Sequence, residues 1–376
     1  MFVAHALGTA NISLVLAFAP TLQQHLHLEV ASFGLAVSCY YAAQTVAALP
    51  SGWLVDRFGM RSSLIAAQIL LAAGMGQIAI ARGWLSLSAG LVLCGFGYAL
   101  INPATARGVL AWFDKRNRAT AMGIKQTGVP IGAAGIAAIS GLVAEQWRLL
   151  AIAMSVAMLL GAVLFRAFFE RAEENEPRNI LRDIRRAAVQ RRLVVINLGG
   201  CLYNVAFGSV LAYIVTYAYE ELGTTIVGAG LLIAVIQGAS AVARILWGIA
   251  GDAIPGNGRV VGLVTCGVLG AVGLMALPYA TSIAHLNLLA VALGLTVGGF
   301  GSLAQTHAVE SVRTDLAGAA VGFNSLLLTS GMMIGPALFA YVINVGGYAL
   351  AFCSMAIALL IGAALFLGSG RLAEGK

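Results

Sequence analysis

"GWLVDRFGMRSSL", residues 52–64, sets Asp56, Arg57 and Arg61 on a turn marked by Gly52 and Gly59. Long, nearly charge-free stretches flank it on both sides. Across the chain 60% of residues are hydrophobic, only 10% are charged, and 46 are glycine. A soluble domain needs more charged surface than that. The apolar runs are about 20 residues long, enough for a helix to cross ~30 Å of hydrocarbon. Lipid offers the backbone no hydrogen bonds, so these runs are predicted to be helices. They do not alternate with period two, which argues against a lipid-spanning barrel.

Twelve spans are expected, at 2–22, 31–53, 63–81, 85–110, 119–143, 148–168, 193–219, 225–250, 259–280, 285–308, 317–344 and 347–369. No charged leader or small-residue cleavage site precedes the first, so it reads as a retained helix. The charged segment 170–192, "ERAEENEPRNILRDIRRAAVQRR", divides the spans six and six. The expected organisation is an N-terminal half (1–169), a cytoplasmic linker (170–192) and a C-terminal half (193–376). Residues 180–192 fit either a basic helix on anionic headgroups or a solvated loop.

Orientation follows from Lys and Arg. With the first span running from inside to outside, all 22 fall near inner loops and inner helix ends except Arg82 and Arg148. That is the bias of a membrane protein with positive residues inside. Both termini are then cytoplasmic, and a bacterial cytoplasmic membrane is the expected location. The net charge of +7 is explained by topology and gives no reason to expect nucleic acid. Cys39, Cys94, Cys201, Cys266 and Cys353 lie within apolar runs without metal-ligand spacing and read as small core residues.

The two halves carry echoes of each other. Gly52 and Asp56 follow the second span, and Gly248 and Asp252 follow the eighth. "ATAMG", ending at Gly123, opens the fifth span, and "GAAVG", ending at Gly322, opens the eleventh. By that offset Asn324 corresponds to Lys125. Repeated halves fit a secondary transporter whose site lies at their interface near mid-membrane.

The opening stretch resembles the loop signature of the major facilitator superfamily, G-x-L-x-D-R-x-G-R-K-x-x-L. Gly52, Leu54, Asp56, Arg57, Gly59 and Leu64 match, Arg61 replaces Lys, and Met60 departs from the usual base. "GIAGDAIPGNGR" is a degenerate second copy. The resemblance covers the whole chain. It implies an all-α membrane protein of twelve transmembrane helices in two pseudo-symmetric six-helix halves. It also implies a gating role for the loop, which helps lock the cytoplasmic side while such a transporter faces outward. Asp56 and Asp252 are then the gate acids, with Arg57, Arg61 and Arg118 as candidate partners. A solvated loop with no gating role is the plainer alternative.

An ionisable group in hydrocarbon costs at least ~2.5–3.5 kcal/mol and so faces a cavity or a partner. All fifteen acids lie in loops or near helix ends. The bases do not. Lys125 lies seven residues beyond Arg118, roughly 10 Å inward along a helix. Arg244 lies eight residues before Asp252, roughly 12 Å inward. Two deep cations without a deep acid point to an anionic substrate: a carboxylate suits Arg244 by a two-pronged contact and Lys125 as a point charge. Snorkelling to the inner surface is the alternative for each. Gln237, one heptad before Arg244, marks a polar lining, and Tyr41, Asn204 and Asn324 complete the candidate binding set. Asn11, Tyr40, Gln44, Asn102, Gln126 and Tyr203 are further polar positions along the path.

"WFDKRNRATAMGIKQTGVPIG", residues 112–132, also resembles the fifth-helix signature of monocarboxylate transporters. Trp112, Phe113, Lys115 and Arg116 match in type, and Gly123, Gly128 and Gly132 match after one inserted residue. Oxalate–formate exchangers and nitrate/nitrite porters share related patterns. The resemblance implies a substrate-binding role for Arg244. The acidic first-helix signature of monocarboxylate transporters has no counterpart here.

Among the five histidines, His5 in the first span offers either a site for a coupling proton or a benign inner-end residue. No H-E-x-x-H, G-x-S-x-G or Cys/His cluster supports an enzyme, a metal site or a cofactor. The sequence therefore leads to a monomeric secondary transporter of a small organic anion, working by alternating access. The alternative is a proton-coupled exporter of drugs or other amphiphiles.

Overall fold

The computed structural model describes residues 1–112, 118–140, 143, 146–168, 185–186, 188–253, 257–312 and 317–374. Most of the expected linker lies outside them. Every regular element among the described residues is a helix. In chain order these are α1 (Phe2–Ala17), α2 (Ala19–His25), α3 (Val30–Ala79), α4 (Trp84–Trp112), α5 (Arg118–Ser140) and α6 (Trp147–Phe168). Then come α7 (Arg191–Glu220), α8 (Ile226–Ala253), α9 (Gly258–Ala276), α10 (Ile283–Leu295), α11 (Gly301–Glu310) and α12 (Ala317–Glu374).

The breaks in these helices have local causes. The first apolar run bends by 63° between α1 and α2. Pro20 stands in the opening turn of α2, where its missing N–H is tolerated. The runs 31–53 and 63–81 join in α3, which turns at Gly59 with φ 78° and ψ 168°. Gly347, at φ 73°, does the same inside α12. A side chain rarely adopts such angles.

The run 285–308, expected as one helix, is two: α10 ends before Thr296 and α11 begins at Gly301. Two side chains of α8 take up carbonyls at this break. Ser240 donates to Gly298 O at 2.6 Å and the Trp247 indole to Leu295 O at 2.7 Å. Irregular backbone at membrane depth needs such partners.

Eight described segments are long and apolar enough to cross a bilayer, or nine if α1 and α2 count as one bent span. The count differs from the twelve apolar runs partly because α12 holds two of them. In addition, α10 and α11 are each too short alone, and α5 is not among the eight.

Small residues set the helix packing. In α5, a side chain at Gly128 would strike the Phe2 carbonyl, and one at Gly132 would overlap Ala6. In α12, Gly331 and Gly335 meet the Cys201 and Val205 carbonyls of α7 in the same way. Close backbone approach at small-x-x-x-small spacing is how helices associate in lipid. These glycine pairs lie four residues further along than the 199-residue offset between Gly123 and Gly322 implies. The packing thus makes Leu328, rather than Asn324, the counterpart of Lys125.

Large apolar side chains also face outward. On α6, Leu149, Ile152, Val156, Leu160 and Val163 are all exposed at three- and four-residue spacing. A stripe of that size has lipid as its solvent. Gly132→Ile should disrupt the α1–α5 contact, costing about 1–3 kcal/mol for an overpacked site and lowering the melting temperature in detergent. Ile152→Ala, on the lipid face, should leave it nearly unchanged. Equal effects would contradict this packing.

Candidate functional site

A cavity of about 280 Å³ lies in the middle of the bundle. Its wall is drawn from α1, α3, α4 and α5 on one side and from α7, α8, α11 and α12 on the other. Five of the six candidate binding residues line it: Arg244, Gln237, Tyr41, Asn204 and Asn324. Asn204 is held by a bond from Nδ2 to Leu328 O at 2.9 Å, and Asn324 donates to Asn197 Oδ1 at 2.7 Å. Gln237 and Tyr41 are buried.

Arg244 is the cation on this wall. Its side chain makes no hydrogen bond or ion pair among the described residues, and its Nε is buried without a partner. Guanidinium has five N–H donors in a planar fork and no acceptor. An unpaired guanidinium on a cavity wall leaves donors for an oxyanion. Among the described residues the lining contains no Asp or Glu. Arg244, Gln126 and Gln305 also border an adjoining hollow of about 390 Å³ between α5, α8 and α11.

Lys125 sits one layer behind the wall. It is only 2% exposed. Its ammonium donates to Asn102 Oδ1 at 3.0 Å, Asn102 O at 3.3 Å and Thr105 Oγ1 at 3.0 Å. An ammonium has three hydrogens, so neutral acceptors on α4 account for all of them. Lys125 neither snorkels to the surface nor reaches the cavity as a free point charge. It ties α5 to α4 and adds positive potential behind Asn102.

His5 joins the same cluster, with Nε2 2.9 Å from Thr105 Oγ1. Thr9 donates to His5 O at 3.0 Å and also contacts Tyr98 Oη at 3.3 Å.

Several lining residues were not singled out from the sequence: Thr9, Ser13, Tyr98, Gln305 and Thr329. Tyr98 stands one helical turn before Asn102, so helical spacing could have flagged it. Two polar positions taken as path residues lie elsewhere. Asn11 is fully buried and bonds to Gly8 O, and Tyr203 donates to Leu263 O at 2.7 Å.

The two ends of the bundle differ. At the end containing His27, bonds run between the first six and the later helices. Gln23 Nε2 donates to Thr216 Oγ1 at 3.3 Å, Gln24 Nε2 to Tyr219 Oη at 2.9 Å and Tyr213 Oη to Val30 O at 3.3 Å. A hollow of about 500 Å³ at this end has Glu29 and Glu220 but no base in its lining, which makes it a poor seat for an anion.

At the end containing Gly59, the Arg57 guanidinium lies over Trp53 and Phe58 at 5.2 and 5.5 Å, and Arg61 donates to Arg166 O at 2.5 Å. These contacts stay within the first six helices. The side chains of Asp56, Arg118 and Asp252 lie outside what the structure describes.

A family model for the major facilitator superfamily matches residues 1–330 and again residues 198–374. The chain belongs to the major facilitator superfamily. It is an integral, multi-pass membrane protein of a family of transporters, not an enzyme. A solved structure with this architecture is a bacterial homologue of the human lysosomal transporter Spinster, captured inward-facing and occupied. Its TM-score is 0.83 at 14% identity, covering 98% of this chain and 95% of that one. A hexuronate transporter of Bacillus subtilis is 26% identical over 170 residues, which is 45% of this chain and 40% of the relative's length. Monocarboxylate transporter 13 of Rattus norvegicus is 29% identical over 355 residues, covering 91% of this chain and 78% of the relative. The monocarboxylate relative agrees with the fifth-helix resemblance.

The different surroundings of the two bases predict different mutant behaviour. Lys125→Met removes the donor to three acceptors on Asn102 and Thr105, at about 1–3 kcal/mol for an acceptor left unsatisfied, and should lower the melting temperature by several degrees. Arg244→Gln breaks no bond and should not. The opposite order, in thermal unfolding of purified protein, would contradict these assignments.

Proposed function

We propose that this protein is a secondary active transporter of a small organic anion, most simply a carboxylate, working by alternating access. The observation that carries the reading is the Arg244 guanidinium, unpaired among the described residues, on the wall of a central cavity whose described lining holds no carboxylate. Cation exporters commonly need a buried acid to hold substrate or proton, so the lining argues against the drug-exporter alternative. Relatives named for hexuronate and monocarboxylate transport support an anionic cargo.

In this reading α3 and α12 each cross the membrane twice, while α1–α2 and α10–α11 are single broken crossings. That gives twelve crossings in two halves of six, 1–169 and 193–376, joined by the cytoplasmic linker 170–192. The Lys and Arg distribution supports both termini inside; the reading takes the membrane as bacterial cytoplasmic and the monomer as the working unit.

The His27 end then faces outward. Its closure by Gln23, Gln24 and Tyr213 fits a state open to the cytoplasm. Asp56, Arg57, Arg61, Arg118 and Asp252 form the gate that closes the inner side in the opposite state. Arg244, Gln237, Tyr41, Asn204 and Asn324 bind the substrate, while Lys125 acts from behind Asn102.

Proteoliposome uptake tests the assignment. D-glucuronate or L-lactate should be taken up by the wild type, and Arg244→Gln should lose about 30-fold or more, equivalent to at least ~2 kcal/mol for one partner of a charge pair. Undiminished uptake in the variant would remove the anion site.

A cysteine pair replacing Gln24 and Tyr219, in a chain without its five native cysteines, tests the gate. Oxidation should stop transport and reductant should restore it. Full flux through the oxidised pair would refute alternating access at this end.

A further inference from the structure

The hollow of about 390 Å³ between α5, α8 and α11 adjoins the central cavity. Arg244, Gln126 and Gln305 border both spaces. Six of the eight residues lining the hollow have polar side chains. An alkyl chain placed there would take water from them and return no hydrogen bond.

The bonds already made show what kind of polar partner is missing. Thr127 donates to Ile124 O at 2.7 Å, Thr306 to Ser302 O at 2.9 Å and Ser302 to Arg244 O at 3.3 Å. A hydroxyl has one hydrogen and two lone pairs. These three hydrogens go to backbone carbonyls, so the side chains offer lone pairs to the hollow. Gln126 and Gln305 make no side-chain hydrogen bond among the described residues. Each keeps a carbonyl acceptor and two N–H donors. The wall therefore suits a group that both donates and accepts. An ammonium donates but does not accept, Arg244 repels it, and no acid among the described lining balances its charge. Hydroxyl groups do both and carry no charge.

We infer that this hollow is the subsite for a hydroxyl-bearing end of the cargo, with Gln126 and Gln305 as its specificity-determining residues. The inference rests on the anion reading above and narrows it to hydroxylated carboxylates. The carboxylate lies on Arg244, and the hydroxyls exchange hydrogen bonds with the two amides. Gln126 comes from α5 in the first six helices and Gln305 from α11 in the later ones. A cargo bonded to both spans the interface that alternating access opens and closes. An alkyl acid of the same length reaches Arg244 but leaves both amides without a partner.

Calorimetric titration of the full chain with two matched pairs of acids tests this: L-lactate against propionate, and D-gluconate against hexanoate. Members of a pair share a carbon chain and differ in hydroxyls. The hydroxylated acid should bind about tenfold tighter or more in at least one pair, the worth of a single hydrogen bond. An apolar hollow would instead favour hexanoate. Gln126→Leu and Gln305→Leu should each shrink the preference severalfold while alkyl acids bind as before. The ratio within a pair is read, so a general loss of affinity does not imitate the effect. Should a variant fail to fold, the comparison in the wild type still decides. Equal binding within both pairs, or tighter binding of the alkyl acids, overturns the inference and leaves the anion reading standing. So does a preference that neither variant changes. If none of the four acids binds the wild type, both fall together.

Discussion

A guanidinium on the wall of a central cavity, with no carboxylate against it among the described residues, is the constraint on which the rest of this account depends. Charge at that depth costs at least ~2.5–3.5 kcal/mol unless a cavity or partner receives it. Arg244 has the cavity and, among the described residues, lacks a partner. Lys125 is the instructive contrast. It is equally foreign to hydrocarbon, but Asn102 and Thr105 engage its hydrogens, so it is a structural cation. The two bases look alike in sequence and differ in what surrounds them. That difference separates a group available to a ligand from one committed to the fold.

The same economy of polar groups explains the helix irregularities. Where α10 gives way to α11, Ser240 and Trp247 reach over from α8 to take the loosened carbonyls. They lie on the helix that also carries Gln237 and Arg244. One helix thus stabilises the irregular backbone and supplies polar residues of the cavity wall beside it. Across the cavity, Gly128 and Gly132 let α5 lie against α1, which brings Lys125 near Thr105 and His5. The cluster behind the wall therefore depends on glycine packing as much as on its own hydrogen bonds.

Much of the architecture was legible because hydropathy and turn residues are local signals. The apolar runs, the Gly59 turn and the depth of Arg244 before Asp252 could all be counted along the chain. Facing relations could not. That Asn102 and Thr105 point at Lys125 depends on how α4 meets α5. Gln305 and Tyr98 were passed over because a single polar residue in an apolar run does not declare which side it faces. The correspondence of Lys125 with Asn324 followed a glycine match near the helix starts. The close contacts at Gly132 and Gly335 correct it by one helical turn. The break after Leu295 was missed because its glycines also suit a continuous packed helix, and the two side chains that stabilise the break lie some 50 residues away.

The most direct measurement is ligand-induced stabilisation of the purified protein, because a compound that binds only the native state raises its apparent melting temperature. The account predicts a dose-dependent rise with small carboxylates, none with amines or neutral sugars of similar size, and loss of the rise in Arg244→Gln. Stabilisation by amines, or by carboxylates equally in wild type and variant, would contradict it.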